Sequence, residues 1–264
     1  MQTTGRVMRT RSPGSQRRAV NAVREHPDPG AAARLADLAW PDVAERAQAG
    51  ALLAVPLGST EQHGPHLPLS TDTDIAVALC ERLAAARGDV LIAPPVTYGS
   101  SGEHADFPGT LSIGQAALES LIVELGRSAA RTFTRLLLVS AHGGNAGPVT
   151  RAAGRLRAES RDVHVYMPRW EGDPHAGRPE TSMMLALAPA RVRMHLAVPG
   201  DMRPLAQIWP LLRAEGVRAV NAAGILGDPT GASRREGAAL LGTLAEQLFR
   251  EVDAWHPVAP AARA

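Results

Sequence analysis

Short, wholly apolar runs alternate along this chain with longer segments of helical spacing. Leu52 to Leu57 is apolar throughout and bounded by turn formers, and Arg135 to Ser140, centred on Leu136-Leu137-Leu138-Val139, is the clearest run of this kind. Val90 to Ala93 and Val163 to Met167 are two more. Apolar runs this short, without polar alternation, predict strands buried on both faces. Helices are predicted between them. A short helical piece covers Ala32 to Leu38, and Pro41 leads into another from Asp42 to Gln48. Ser70 or Thr71 caps a helix to about Ala86, with Ile75, Val77, Ala78, Leu79 and Leu83 as its buried side and Gly88 as its stop. Ser112 and Gln115 have capping-box spacing ahead of a helix to about Phe133. Further helices are expected from Gly147 to Ser160 and in the stretch ending before Pro189. Ser233 and Glu236 form a second capping box, for a last helix to about Trp255. Residues 190–232 carry a mixed pattern that predicts no clear order.

Strands alternating with helices in this way predict an α/β fold, a parallel sheet covered on both faces. Such sheets place their sites beyond the carboxyl ends of the strands. Here the polar clusters follow the apolar runs directly. Residues 1–33, rich in arginine and containing Pro13, Pro27 and Pro29, read as a flexible basic extension. Residues 34–257 read as one folded domain and 258–264 as a loose Ala/Pro-rich tail. At 264 residues and 45% apolar content the chain can build a sizeable core. A formal charge of +2 and an aromatic content of 3% give no case for a nucleic-acid surface. No apolar run is long enough to cross a membrane, and the single cysteine, Cys80, fits a reducing cytoplasm.

Candidate chemistry concentrates after the first strand, in the stretch Gly58-Ser59-Thr60-Glu61-Gln62-His63-Gly64-Pro65-His66-Leu67-Pro68-Leu69-Ser70-Thr71-Asp72-Thr73-Asp74. Glu61 and His63 can chelate one ion if the loop turns sharply, or hold one ion each if it stays extended. Asp72 has two oxygens with which to bridge a pair of ions. His142 adds an imidazole at the end of the Leu136–Val139 strand, and Glu180 adds a carboxylate at the start of a helix. This nitrogen and oxygen set, free of thiolate, suits zinc, manganese or iron(II). Two such ions about 3.5–4 Å apart activate water and polarise a carbonyl. His175 stands just before Glu180, where a general acid can reach a leaving amine, and Asp173 can orient that ring or contact substrate. His66 and Asp74 read as supporting residues; Asp74 also suits the first turn of a helix by its charge.

These residues resemble the signatures of the creatininase family of metal-dependent amidohydrolases. The first is Gly58 to Pro68 with Thr71-Asp72-Thr73. The later ones are Phe107-Pro108-Gly109-Thr110, His142-Gly143-Gly144-Asn145 and His175-Ala176-Gly177-Arg178-Pro179-Glu180-Thr181-Ser182, in the family's order over about residues 34 to 256. The resemblance implies a three-layer α/β/α sandwich around a mainly parallel sheet, a two-metal site and a homo-oligomer, often a hexamer. It carries Glu61, His63, Asp72, His142 and Glu180 over as metal ligands, with Asp72 bridging. Family members acting on creatinine have Tyr-Glu where this chain has Gly143-Gly144, and that glutamate binds metal; the departure points away from creatinine and to Glu180 as the replacement. The Gly172-Asp173-Pro174-His175 stretch and Gly227 to Ser233 are most similar to the branch associated with mycofactocin biosynthesis. That branch releases the modified C-terminal dipeptide of a small precursor peptide. On this reading Ser100, Ser101, His104 and Phe107 line the substrate side. The resemblance also accommodates a hydrolase of a small cyclic amide or formamide of the formamidopyrimidine type, or a non-catalytic metal-binding protein of the same fold.

Overall fold

The computed structural model describes residues 33–257. Four strands form one sheet: β1 (Leu52–Leu57), β2 (Val90–Ile92), β3 (Arg135–Ser140) and β4 (Asp162–Tyr166). Their order is β2-β1-β3-β4 and every pairing is parallel. β1 and β3 therefore occupy the middle, with Ala54 against Leu137 and Leu57 against Ser140. Both are buried almost along their whole length, which is why their sequences carry no polar alternation. Pro56 is tolerated in a central strand because it lies past the last β1–β2 pair, Ala54 with Ile92.

Successive β1 side chains enter two cores. Leu52 and Ala54 join a cluster with Ile75, Leu79 and Leu83 of α2 (Thr71–Ala86), Met183 and Met184 of α5 (Arg178–Leu187), and Leu241, Leu244 and Leu248 of α8 (Arg234–Trp255). Leu53, Val55 and Leu57 join Leu118 and Ile122 of α3 (Gly114–Ala129) and Val149, Ala152 and Leu156 of α4 (Ala146–Ala158), with Val43 of α1 (Trp40–Gln48) at the edge. The layers are α/β/α, as the resemblance implies. The loosely patterned region beyond α5 forms α6 (Leu205–Glu215) and the short α7 (Val217–Val220), joined by Leu226 in a third small apolar cluster.

Several local expectations are corrected. Leu35–Asp37 is a single 3-10 turn, preceded by a bridge from Arg34 to Ile92. Ser70 provides no side-chain cap for α2; its hydroxyl donates to Asp74 instead. Ser112 forms no capping box either, because its Oγ accepts from the backbone of Ser101 and Gly114, and α3 ends at Ala129. The Ser233 cap is present, with its hydroxyl accepting from Glu236 N at 3.3 Å. The expected basic extension up to residue 32 and the expected tail from residue 258 lie outside the described residues. No helix among the described residues is long and apolar enough to cross a membrane.

Candidate active site

Three strand ends deliver the acidic and imidazole side chains to one place. The chain leaving β1 carries Glu61 and His63. It is held against the first turn of α2, where a side chain on Gly58 would run into the Thr73 backbone. That contact sets Asp72 beside the loop, and Ser59 Oγ donates to Asp72 Oδ2 at 2.7 Å. Two residues past β3 comes His142, whose Nε2 donates to the Ser100 carbonyl at 2.9 Å and leaves Nδ1 3.2 Å from Asp72 Oδ2. Beyond β4, Ala176 adopts a left-handed conformation (φ 51°) that aims its N–H at Glu180 Oε2, 2.6 Å away. A non-glycine residue is held in such a conformation only by its surroundings, a pattern that concentrates at functional sites.

All five expected ligands are buried and converge. Asp72 lies between two imidazoles, with Oδ1 3.2 Å from His63 Nε2 and Oδ2 3.2 Å from His142 Nδ1. Glu180 Oε2 is 3.9 Å from His63 Nε2, and Glu61 Oε2 is 3.2 Å from His142 Nε2. Two ligand groups result, Glu61–Asp72–His142 and His63–Asp72–Glu180, sharing Asp72; a third, Glu61–His63–His175, adds the expected proton donor. Glu61 and His63 therefore fall into different groups when Asp72 is the shared residue. His63 Nδ1 faces the Glu61 carbonyl at 3.3 Å, which leaves Nε2 free on the side of Asp72 and Glu180.

Burial and charge oppose one another in this cluster. Burial pushes the Glu61 and Glu180 carboxyls up to about 7. Burial pulls His63 and His142 down, but neighbouring carboxylates, chiefly Asp72 for the first and Glu61 for the second, prevail and raise both to about 10. Asp72 is held well below the usual carboxylate range, its burial outweighed by His63 and His142. Neither Glu61 oxygen has a hydrogen-bond partner of good geometry, although nitrogens of His142, His104 and His175 stand 3.2, 3.3 and 3.8 Å away. A buried carboxylate without donors is costly. Divalent cations would satisfy it, and the all-nitrogen-and-oxygen donor set fits them.

The cluster opens into a cleft of about 920 Å³, walled by Glu103, His104, Gly143, Gly144, Pro174 and His175 on one side and by α6, with Leu205, Trp209 and Arg213, on the other. His104 and His175 stand over the cluster with ring centroids 4.4 Å apart, both kept neutral chiefly by burial. The other residues expected to meet substrate are placed differently. Ser100 and Ser101 are buried behind His142. Phe107 packs with α6 and α7 under the Arg218 guanidinium. Asp173 accepts from the backbone N–H groups of Arg178 and Asp228, tying the start of α5 to the Gly227 turn. His66 bonds Thr181 Oγ1 at 2.9 Å and Asp74 pairs with Arg191, so both brace the site from outside. Sequence reasoning passed over Ser59, Gln62 and Glu103. Only adjacency to Glu61, His63 and His104 in sequence signalled them.

Comparison with known proteins agrees with this geometry. The family described as "Creatininase: Creatinine amidohydrolase" matches residues 36–252. The chain is 48% identical over 216 residues to a mycofactocin precursor peptide peptidase of Mycobacterium tuberculosis (strain ATCC 25618 / H37Rv), covering 78% of this chain and 86% of the relative. It is 30% identical over 242 residues to a creatinine amidohydrolase of Pseudomonas putida, covering 78% and 90%. Among solved structures, one titled "Creatininase Mn" superposes with a TM-score of 0.75 at 26% identity, covering 86% of this chain and all of that one. A mutant creatininase described as "Zn-Zn type" superposes at 0.73 with 27% identity, over 85% and 98% of the two chains. The chain belongs to the creatininase family.

Proposed function

We propose that this protein is a two-metal peptidase that releases the modified C-terminal dipeptide of the mycofactocin precursor peptide. The observation that carries the metal chemistry is Asp72, buried with one oxygen toward His63 and the other toward His142. Glu61, Asp72 and His142 would hold one divalent ion, and His63, Asp72 and Glu180 the other; zinc, manganese and iron(II) all suit these donors. Such ions supply an activated water and a Lewis acid for the scissile carbonyl. The substrate follows from the 48% identity to a peptidase of that name, and a cleft of about 920 Å³ accommodates a peptide end.

The chain's own residues manage the proton. His175 Nδ1 points toward Glu61, and its neutral ring can take the proton lost by the attacking water and pass it to the departing nitrogen. As the carbon–oxygen bond forms and the carbon–nitrogen bond breaks, one fragment leaves as a carboxylate and the other as an ammonium that carries both protons of the water. His104, Glu103 and the α6 wall line the path of the peptide. Gly144 is required by packing, since any side chain there would run into the Ser100 carbonyl and the His142 ring. The reading extends to a cytoplasmic homo-oligomer, which sedimentation of the purified protein tests.

Incubation with the modified precursor peptide should yield two fragments resolved by mass spectrometry, and His63→Ala should lower the rate by ~100-fold or more together with metal content. An uncut peptide alongside turnover of a formamide would replace the peptidase reading with that of a small-amide hydrolase. Protein free of transition metal and insensitive to His63→Ala would remove the metallohydrolase reading altogether.

A further inference from the structure

We infer that the Gln62 side chain fixes the tautomer of His104, so that the two imidazoles above the metal cluster are given different tasks. The inference rests on the hydrolase reading of the cleft but is decided by hydrogen bonds within the protein.

Two backbone groups of known polarity orient the Gln62 amide. Its Oε1 accepts from Gly64 N at 2.8 Å, and its Nε2 donates to the Gly224 carbonyl at 3.1 Å. Turning the amide over would set oxygen against oxygen and N–H against N–H. Gly224 has φ 75° and no side chain; a Cβ there would strike Gln62 Oε1, so the glycine lets its backbone lie flat against the amide. The remaining proton on Gln62 Nε2 points at His104 Nδ1, 2.8 Å away. That nitrogen must accept, so the His104 proton sits on Nε2, which faces Glu61 Oε1 at 3.3 Å.

His175 is set independently. Its Nε2 lies 3.0 Å from the Gln62 backbone carbonyl and donates to it. The Gln62 amide, also 3.0 Å from this nitrogen, has already committed both of its protons. The lone pair of His175 is therefore on Nδ1, toward Glu61 Oε1 at 3.8 Å. One residue thus makes His104 a donor and His175 an acceptor toward the same carboxylate. His104 can hold an oxygen of Glu61 or of substrate but cannot take the water's proton, which leaves His175 Nδ1 as the one imidazole nitrogen of the pair with a lone pair turned toward Glu61. Gln62 is a positioning residue: it acts through His104.

The test uses zinc-loaded protein labelled with 15N in histidine, with His104 and His175 assigned by single substitution. Long-range proton–nitrogen spectra without substrate should show both rings as single Nε2–H tautomers. In Gln62→Met, His104 should become a mixture while His175, held by the backbone, stays unchanged. In Gln62→Glu, His104 should move to the Nδ1–H form. Both variants should keep their zinc, with kcat down ~10-fold and KM within about twofold. A His104 tautomer unaltered in both variants overturns the inference, as does loss of zinc, which would place Gln62 among supports of the metal ligands. If wild-type protein fails to cut the peptide while the tautomers respond as described, the substrate assignment fails and the Gln62 inference stands.

Discussion

Asp72 divides its two oxygens between two imidazoles, and most of the site's behaviour follows from that residue. Without metal, His63 and His142 are raised to about 10, so the folded chain holds protons there that the unfolded chain releases near 6.5. That stabilisation is complete below about 6.5 and is lost as pH rises through 10. His66, lowered to about 4, and His104, lowered to about 3, have the opposite sign but act only below 6.5. Chelator-treated protein should therefore lose melting temperature steadily between pH 7 and 10, whereas metal-loaded protein, with cations in place of those protons, should not. Equal slopes for the two forms would contradict the metal assignment. The five candidate ligands were legible in the sequence because carboxylate and imidazole identify themselves by chemistry. Gln62 was not, since an amide between two ligands has no chemistry of its own until Gly64, Gly224 and His104 are seen around it.

Among the elements, β1 and β3 were readable to the residue, because a strand buried on both faces must be apolar from end to end. Caps were readable only where nothing competed. Ser233 caps α8, but Ser112, with the same spacing to Gln115, is taken by the backbone of the Ser101 loop. α6 was invisible because most of its side chains face solvent or the cleft, with Trp209 half exposed and only Ile208 and Leu212 buried. The contact between α5 and α8 determines how firmly Glu180 is held. A Cβ on Gly237 would meet the Ser182 carbonyl and the Met183 backbone, neither of which can step aside. Gly237→Ala should cost about 1–3 kcal/mol and weaken metal retention. Gly242→Ala, on the same helix with open space around it, should add about 0.5–1 kcal/mol without touching activity. Paired thermal melts and metal analyses distinguish the two; a Gly237→Ala protein as stable and as metal-rich as the parent would show that α5 is held by other contacts.

For the whole molecule, the parallel order β2-β1-β3-β4 explains why one cleft can gather groups from residues 61 to 180. The strand ends share one edge, so segments distant in sequence meet there. Because the candidate ligand set exists only when the sheet is assembled, a metal held there would favour the folded chain. At a free concentration a hundred times the dissociation constant it should add about 2.7 kcal/mol, read as a rise in melting temperature that chelation reverses. An unchanged melting temperature would count against the site. The same arrangement has a meaning in time. Glu61, Asp72 and His142 are all present once β3 has been made, whereas Glu180 arrives only after β4. During synthesis one candidate trio is made in full while the other still lacks its carboxylate, so the two metal positions would be completed in a fixed order. In the full chain, Glu180→Ala removes only the later carboxylate, so the variant should keep the ion held by Glu61, Asp72 and His142 and lose the other.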